Sequence, residues 1–184
     1  KLLKKWGYSV VVLSPKDTKF GSVETWDDAK KCAELFKKNR EKIDGVIVTL
    51  PNFGDERGVA DTLKMAGLNV PVLIHAWQDD ATKMTIKHRR DSFCGKMSVC
   101  NNLKQYGIPF SITARHTMDP NTKTFEDEVR TFAATCSSKV WLKIVCPSGV
   151  VRKYRYRVGA GLAAAWIASR LALPIGPGGR PRTL

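Results

Sequence analysis

Short apolar runs alternate with longer amphipathic segments along the first three quarters of the chain. Four such runs are evident, at residues 8–15, 43–51, 70–76 and 108–114. Their apolar residues are consecutive rather than alternating, which is typical of strands covered on both faces, as in parallel sheets. Each run is therefore predicted to be a buried strand.

The segments between the runs repeat apolar residues at helical spacing, and several end at glycine. A short helix is predicted within residues 1–7, and longer helices are predicted at residues 25–42, 55–67, 89–107 and 124–136. Strands separated by helices specify parallel units with right-handed crossovers. The predicted fold is α/β: a doubly wound, mainly parallel sheet with helices on both faces, a flavodoxin-like layer.

The remaining residues break this alternation. Residues 137–184 hold 9 of the 31 Lys and Arg residues and none of the 17 acids, and they are rich in Ala, Gly and Pro. Two regions are therefore predicted: an α/β domain at 1–136 and an irregular basic tail at 137–184. The alternative is a final strand at WLKIVC, a capping helix and a loose terminus.

The basic residues of the tail also bear on possible partners. The formal net charge of +14 favours nucleic acid or anionic membranes, and RKYRYR interleaves aromatic rings with cations as a nucleic-acid contact does. Since the excess lies largely in an atypical segment, no nucleic-acid partner is expected, although a nucleic-acid-binding protein stays as a third reading.

Cysteine usage and hydropathy indicate the compartment. The five cysteines form no CxxC pair, and no charged-then-apolar leader comes before them. No apolar run reaches the ~20 residues of a membrane-spanning helix. A soluble protein of the reducing cytoplasm, without a membrane partner, is expected.

Polar loops follow three of the predicted strands, and ligands of open parallel sheets bind outside the carboxyl ends of strands. The first loop spans residues 51–57, the second spans 75–80 and leads to 89–92, and the third spans 113–116. Carboxylates, amides and aromatic rings together suit a polyhydroxylated ligand.

Structural roles compete with this reading. Asp55 and the pair Asp91 and Ser92 stand where helix N-caps belong, and His75 and His116 stand where hydrogen-bonded structural histidines are common. Phe53 and Trp77 could simply close the edge of the core. Cys94 and Cys100 suit buried apolar positions better than a metal site. Dinucleotide, Walker, nucleophile-elbow and HExxH motifs are missing from the sequence.

Long strings of the sequence resemble the N-terminal part of the L-fucose isomerase-like sugar isomerases, which include L-fucose and L-arabinose isomerases. They include IDGVIVTLPNFGDERGVADTLK, RRDSFCGKMSVCNNLKQYGIPFSIT and HTMDPNTKTFEDEVRTFAATC. The resemblance covers about residues 1–136. It implies a cytosolic aldose–ketose isomerase that uses a divalent ion, usually manganese, and moves a proton between two sugar carbons through an enediol.

The resemblance also implies which residues face the sugar. Six positions match the motifs of the family there: Asn52, Phe53, Asp55, Arg90, Asp91 and Ser92. No role carries over to His75 or Trp77, because relatives have other residues at those positions.

Departures from the family limit the expected activity. Relatives are much longer, and their metal-binding acids and histidine come from later domains, so this chain is expected to bind no metal and to isomerise nothing on its own. The sequence predicts an isomerase fragment that contributes substrate contacts and subunit packing in a homo-oligomeric parent. The alternative is a stand-alone sugar-binding or regulatory module without catalysis.

Both ends of the chain depart from the family pattern. A relative would have one more strand before Lys1, central in a flavodoxin-like order, whose loss would leave neighbouring strand edges unpaired. After Cys136, relatives continue with a motif like Val-Lys-Gly-Leu, which a shifted reading frame of the tail permits. The hypothesis is that the tail is an out-of-frame or intron-derived translation.

Overall fold

The structure is a computed structural model that describes residues 1–137 fully and residues 140–145 and 151–156 as backbone strands. It forms two compact units, Lys1–Ala133 and Ala134–Leu184. The helices are α1 (Leu2–Lys5), α2 (Trp26–Lys38), α3 (Glu56–Ala66), α4 (Ser92–Gln105) and α5 (Lys123–Ser137), with 3-10 turns at Lys19–Gly21 and Arg40–Lys42. The strands are β1 (Val46–Leu50), β2 (Val72–Ala76), β3 (Ser111–Ile112), β4 (Val140–Val145) and β5 (Val151–Tyr156).

A three-stranded parallel sheet, in the order β1-β2-β3, forms the centre of the first unit. β1 and β2 pair along their whole length, from Val46 opposite Val72 to Leu50 opposite Ala76. β3 contributes only two residues, fewer than the seven of the predicted run. The predicted α/β class with a parallel sheet is confirmed.

Helices pack on both faces of this sheet. Successive strand residues point to opposite sides, so each face presents its own apolar side chains to a helix. On one face, Val46, Leu50 and Ile74 join a buried core with residues of α3 and α4. On the other, Ile47 packs on a second cluster formed by three buried side chains, those of Met118, Phe125 and Val129.

Local sequence explains where these helices begin and end. Thr25 and Asp28 form a reciprocal capping box that starts α2, and the Asp55 carboxylate accepts a bond from the Gly58 N–H to start α3. Gly67 ends α3 in the left-handed conformation, at φ 57°.

The prediction of a strand at residues 8–15 is wrong. The segment forms no strand, and Val12 is 64% exposed. An apolar run becomes a strand only where a neighbouring strand satisfies its backbone N–H and C=O groups. Within the described residues, β1 pairs only with β2, and the first run pairs with no strand.

In the second unit, β4 and β5 pair antiparallel, from Val140 opposite Tyr156 to Val145 opposite Val151. These two strands lie within the predicted basic tail, and the alternative of a strand near WLKIVC agrees with β4. The capping helix and loose terminus of that alternative lie outside the described residues. The domain boundary at residue 136 stays a prediction. None of the helices in the described part of the chain could cross a membrane.

Candidate functional site

The loops that follow β1 and β2 meet at the carboxyl edge of the sheet. The Phe53 N–H donates to the Arg90 carbonyl oxygen at 2.7 Å, and the Arg90 guanidinium donates to the Pro51 carbonyl oxygen at 3.2 Å. These bonds join the loop 51–55 to residues 89–92 just before α4. The structure therefore brings together the two motifs that carry the six predicted site residues. Loop 51–55 and residues 89–92 are together called the loop cluster.

A glycine in the first turn of α4 packs directly against the loop 51–55. A Cβ atom at Gly95 would lie 3.4 Å from the Phe53 Cα atom and 3.5 Å from the Asn52 carbonyl oxygen. Both are ordinary van der Waals distances, so a Cβ atom alone would fit there, and only a longer side chain would press on the first loop. Gly95 is a site-shaping residue that the sequence analysis missed, because helical glycines carry no chemical signal.

Arg90 is held from three sides. Besides its bond to Pro51, its backbone N–H donates to the Asp79 carboxylate at 2.5 Å, and its guanidinium lies 5.1 Å from the centre of the Trp77 ring. A cation over an aromatic face at this distance is attracted electrostatically. Trp77 therefore positions Arg90, although the sequence assigned it no role.

Asp91 and Ser92 differ in what they offer a ligand. Asp91 has left-handed backbone (φ 51°) and makes no capping bond through its side chain, which pairs with Arg89 at 2.8 Å. Ser92 is fully buried, and its hydroxyl donates to the Trp77 carbonyl oxygen. The capping alternative for this pair is therefore wrong, since the Asp91 carboxylate stays partly exposed and the Ser92 hydroxyl ties two loops together.

The three predicted residues of the first loop also differ in their roles. The Asp55 carboxylate accepts from the Gly58 N–H at 2.9 Å, so its capping role is confirmed. Asn52 is exposed and Phe53 is 53% exposed. Asn52, Phe53, Arg90 and Asp91 are therefore accessible to a ligand, whereas Asp55 and Ser92 hold the loops in place.

Beneath the site, His75 has two hydrogen-bond partners. Its Nε2 atom lies 3.0 Å from the Met118 carbonyl oxygen and must donate to it, so its Nδ1 atom accepts from the Thr49 hydroxyl at 2.9 Å. Burial lowers the pKa of His75, and the nearby Lys96 cation adds to this, against the Met118 bond. The structural reading of His75 is confirmed.

Lys96, which the sequence analysis overlooked, is buried in α4. Its ammonium donates to the Thr113 hydroxyl at 2.9 Å and to the carbonyl oxygens of His116 and Arg115 at 3.0 and 3.4 Å. Burial lowers the pKa of Lys96, and Cys100 and Glu128 partly offset this. Three acceptors satisfy the cation, so Lys96 fixes the third loop. Lys96 lies three residues before the buried Val99 and therefore on the same face of α4. This spacing was a sequence signal that Lys96 is buried.

A cavity of about 570 Å³ opens beside the site and runs along β1. All five residues of β1 line it, together with the loop 51–55, which contains three of the predicted site residues. Its other walls are largely apolar side chains of α2 and α3: Cys32, Phe36, Val59 and Leu63. Arg90, Asp91 and Ser92 do not line it. The cavity and the loop cluster therefore share the loop 51–55, whereas residues 90–92 lie outside the cavity.

The described residues do not fit the manganese site that the family resemblance implies. Within residues 1–137, no group of three or more His, Cys, Asp or Glu side chains is placed to hold a metal ion. The acids nearest the loop cluster already have partners, since Asp91 pairs with Arg89 and Asp79 accepts from the Arg90 N–H.

Comparison with known proteins gives one match. A family model for the N-terminal domain of fucose/sulfoquinovose isomerases matches residues 1–143. Searches of curated proteins and of solved structures found no significant match. The matched range contains both motifs of the loop cluster and all three strands of the parallel sheet.

Proposed function

Since this chain belongs to the family of fucose/sulfoquinovose isomerase N-terminal domains, we propose that its loop cluster supplies sugar contacts to an aldose–ketose isomerase. The observation that carries the proposal is the joining of loop 51–55 to residues 89–92 through Phe53 and Arg90. The cluster offers the Asn52 amide, the Arg90 guanidinium and the Asp91 carboxylate next to the exposed Phe53 ring.

These groups are chemically matched to a sugar. Guanidinium and amide N–H groups donate to hydroxyl oxygens, and a carboxylate accepts from hydroxyl hydrogens. An aromatic ring can cover the apolar C–H face of the same molecule. The Arg90 guanidinium also suits the sulfonate of sulfoquinovose, because a fixed cation favours an anion.

We assign no proton transfer to the described residues. The matching family model describes an N-terminal domain, and the acids and histidine of the site already have partners. In this proposal, manganese and the residues that move the proton belong to other domains of the parent enzyme, and this domain binds and orients the substrate.

Subunit packing and a cytoplasmic location complete the proposal. Met84 and Ile86 are 53% and 86% exposed in the segment between β2 and α4, beside the loop cluster in sequence. Exposed apolar side chains favour a protein neighbour. Cys32, Cys94 and Cys100 are free thiols, which suits a reducing compartment.

The sugar contacts can be tested by titrating the isotope-labelled protein with L-fucose and with sulfoquinovose and following backbone amide signals. We expect saturable shifts at residues 52–54 and 90–92 with at least one sugar. Arg90→Ala should weaken binding about tenfold, the usual worth of one charged hydrogen bond of about 1.5 kcal/mol. Arg130→Ala, an exposed arginine on α5, should bind normally.

Shifts that bypass both loops, or unchanged affinity in Arg90→Ala, would exclude the loop cluster as the sugar site. Absence of any saturable shift with both sugars would contradict binding by this domain.

A further inference from the structure

The third loop, residues 113–116 after β3, lies next to the loop cluster. The rings of Phe93 and His116 are 5.1 Å apart between their centres and tilted by 46°, a geometry typical of paired aromatic rings. Phe93 directly follows the loop cluster in the chain. Beyond the other end of the loop, Met118 pairs with Trp77, which contacts the loop cluster. Contacts on both sides therefore hold the third loop at the same edge of the sheet as the predicted sugar contacts.

A buried cation holds the backbone of the third loop. Lys96 is 3% exposed, and all three acceptors of its ammonium belong to this loop: the Thr113 hydroxyl and the carbonyl oxygens of Arg115 and His116. Burying an ammonium is costly, and an apolar side chain of similar size is often as stable in such a place. What the ammonium adds is a fixed position for the backbone of Arg115 and His116.

The His116 side chain is available to a ligand. It is exposed, and its ring nitrogens have no hydrogen-bond partner among the described residues. The two other histidines differ, because His75 is bonded to Thr49 and His88 to Thr85. A neutral imidazole offers one donor and one acceptor. Neighbouring hydroxyls of a sugar can use both.

We propose that His116 is a further sugar contact and that Lys96 is a positioning residue that holds it beside the loop cluster. The inference rests on the proposed function, because it extends the same sugar site from two loops to three. Lys96 is buried and its three N–H donors have three acceptors, so it acts through the backbone of the third loop and not on the sugar. The Phe93 ring, 39% exposed, supports His116 and adds apolar surface to that of Phe53.

The test titrates the full chain with L-fucose and with sulfoquinovose and follows the backbone amide signals. Signals of Arg115 and His116 are expected to shift at the same sugar concentration as those of Phe53 and Arg90. His116→Ala should weaken binding about fivefold, the usual effect of losing one neutral hydrogen bond. His116→Phe keeps a ring against Phe93 but loses both nitrogens, and it should weaken binding by a similar factor.

Lys96→Met distinguishes positioning from stabilisation, because it removes the ammonium and keeps a long side chain. It should weaken sugar binding about fivefold in a chain that urea unfolding shows to be folded. The double variant with His116→Ala should also lose about fivefold, rather than the roughly 25-fold of independent effects. Lys104→Met, at an exposed position of the same helix, should bind as the parent does. If Lys96→Met fails to fold, Thr113→Val replaces it in the double variant, since it removes the side-chain acceptor of the ammonium.

The outcomes separate this inference from the proposed function. Normal binding by His116→Ala, together with weaker binding by Arg90→Ala, would overturn the inference and leave the loop cluster as the sugar site. Independent, multiplying losses in the double variant would overturn the positioning role of Lys96. Absence of any saturable shift with both sugars would overturn the proposed function and this inference with it.

Discussion

β1 and β2 have similar apolar sequences, VIVTL and VLIHA, but their surroundings differ. All five residues of β2 are buried, whereas only the first and last residues of β1 are. β2 lies between two strands and β1 has one strand neighbour among the described residues. The comparison shows that burial along a strand depends on how many neighbours it has, and not only on how apolar it is.

Residues 10–13, VVVL, extend the comparison to a third case. This run is as apolar as the others, yet it forms no strand and leaves Val12 exposed. Thus β2, with two strand neighbours, is fully buried, and β1, with one, is partly buried. The run at residues 10–13 has no strand neighbour and forms no strand.

The largest expected effect is a difference in the free energy of unfolding between one substitution in β2 and one in β1. Ile74→Ala in β2 removes a side chain with no exposed surface and should lower the free energy of unfolding by about 3–4 kcal/mol. Ile47→Ala in β1 removes a half-buried one and should cost about 1–2 kcal/mol. Urea unfolding followed by circular dichroism measures both.

Equal losses for the two variants would show that the edge of β1 is covered in solution.

A pH effect should arise from the burial of His75, whose ring also links the two strands through its hydrogen bond with Thr49. Burial holds the pKa of His75 below its ordinary value of 6.5. The unfolded chain therefore binds more protons as the pH falls below about 6.5, and stability is lost toward acid, by at most about 1.4 kcal/mol per pH unit for one proton. Above that pH the contribution is fully present.

Urea unfolding between pH 5 and 7.5 checks this effect. His75→Gln should flatten the dependence, whereas His88→Gln, at an exposed position, should keep the parent slope. A slope that survives His75→Gln would assign the effect to other groups.

The smallest expected effect concerns the loop after β1. Asp55→Ala removes the cap of α3 and should lower the free energy of unfolding by about 1 kcal/mol, because the Gly58 N–H loses its acceptor. Asp55→Asn, which can still accept that bond, should cost only a few tenths. If Asp55 instead contacted sugar directly, Asp55→Asn would weaken sugar binding without any loss of stability.

Patterns of adjacent residues were enough to predict much of this fold. The caps at Thr25 and Asp55 and the stop at Gly67 are local, so the starts of α2 and α3 and the end of α3 agree closely with prediction. The loop cluster was also predictable, since parallel strands place their following loops at one edge. The placement of Gly95 against Phe53 was not, because it depends on how two distant loops meet.

The amino-acid sequence by itself determined the α/β class, the main helices and the membership of a sugar isomerase family, because these depend on local periodicity and on long matching strings. Only the tertiary structure decided that residues 8–15 form no strand, that Asp55 and Ser92 serve the loops, and that β1 has one strand neighbour among the described residues. Each of these outcomes depends on which partner reaches a backbone or side-chain group. A partner that is remote in the chain leaves no local pattern in the sequence.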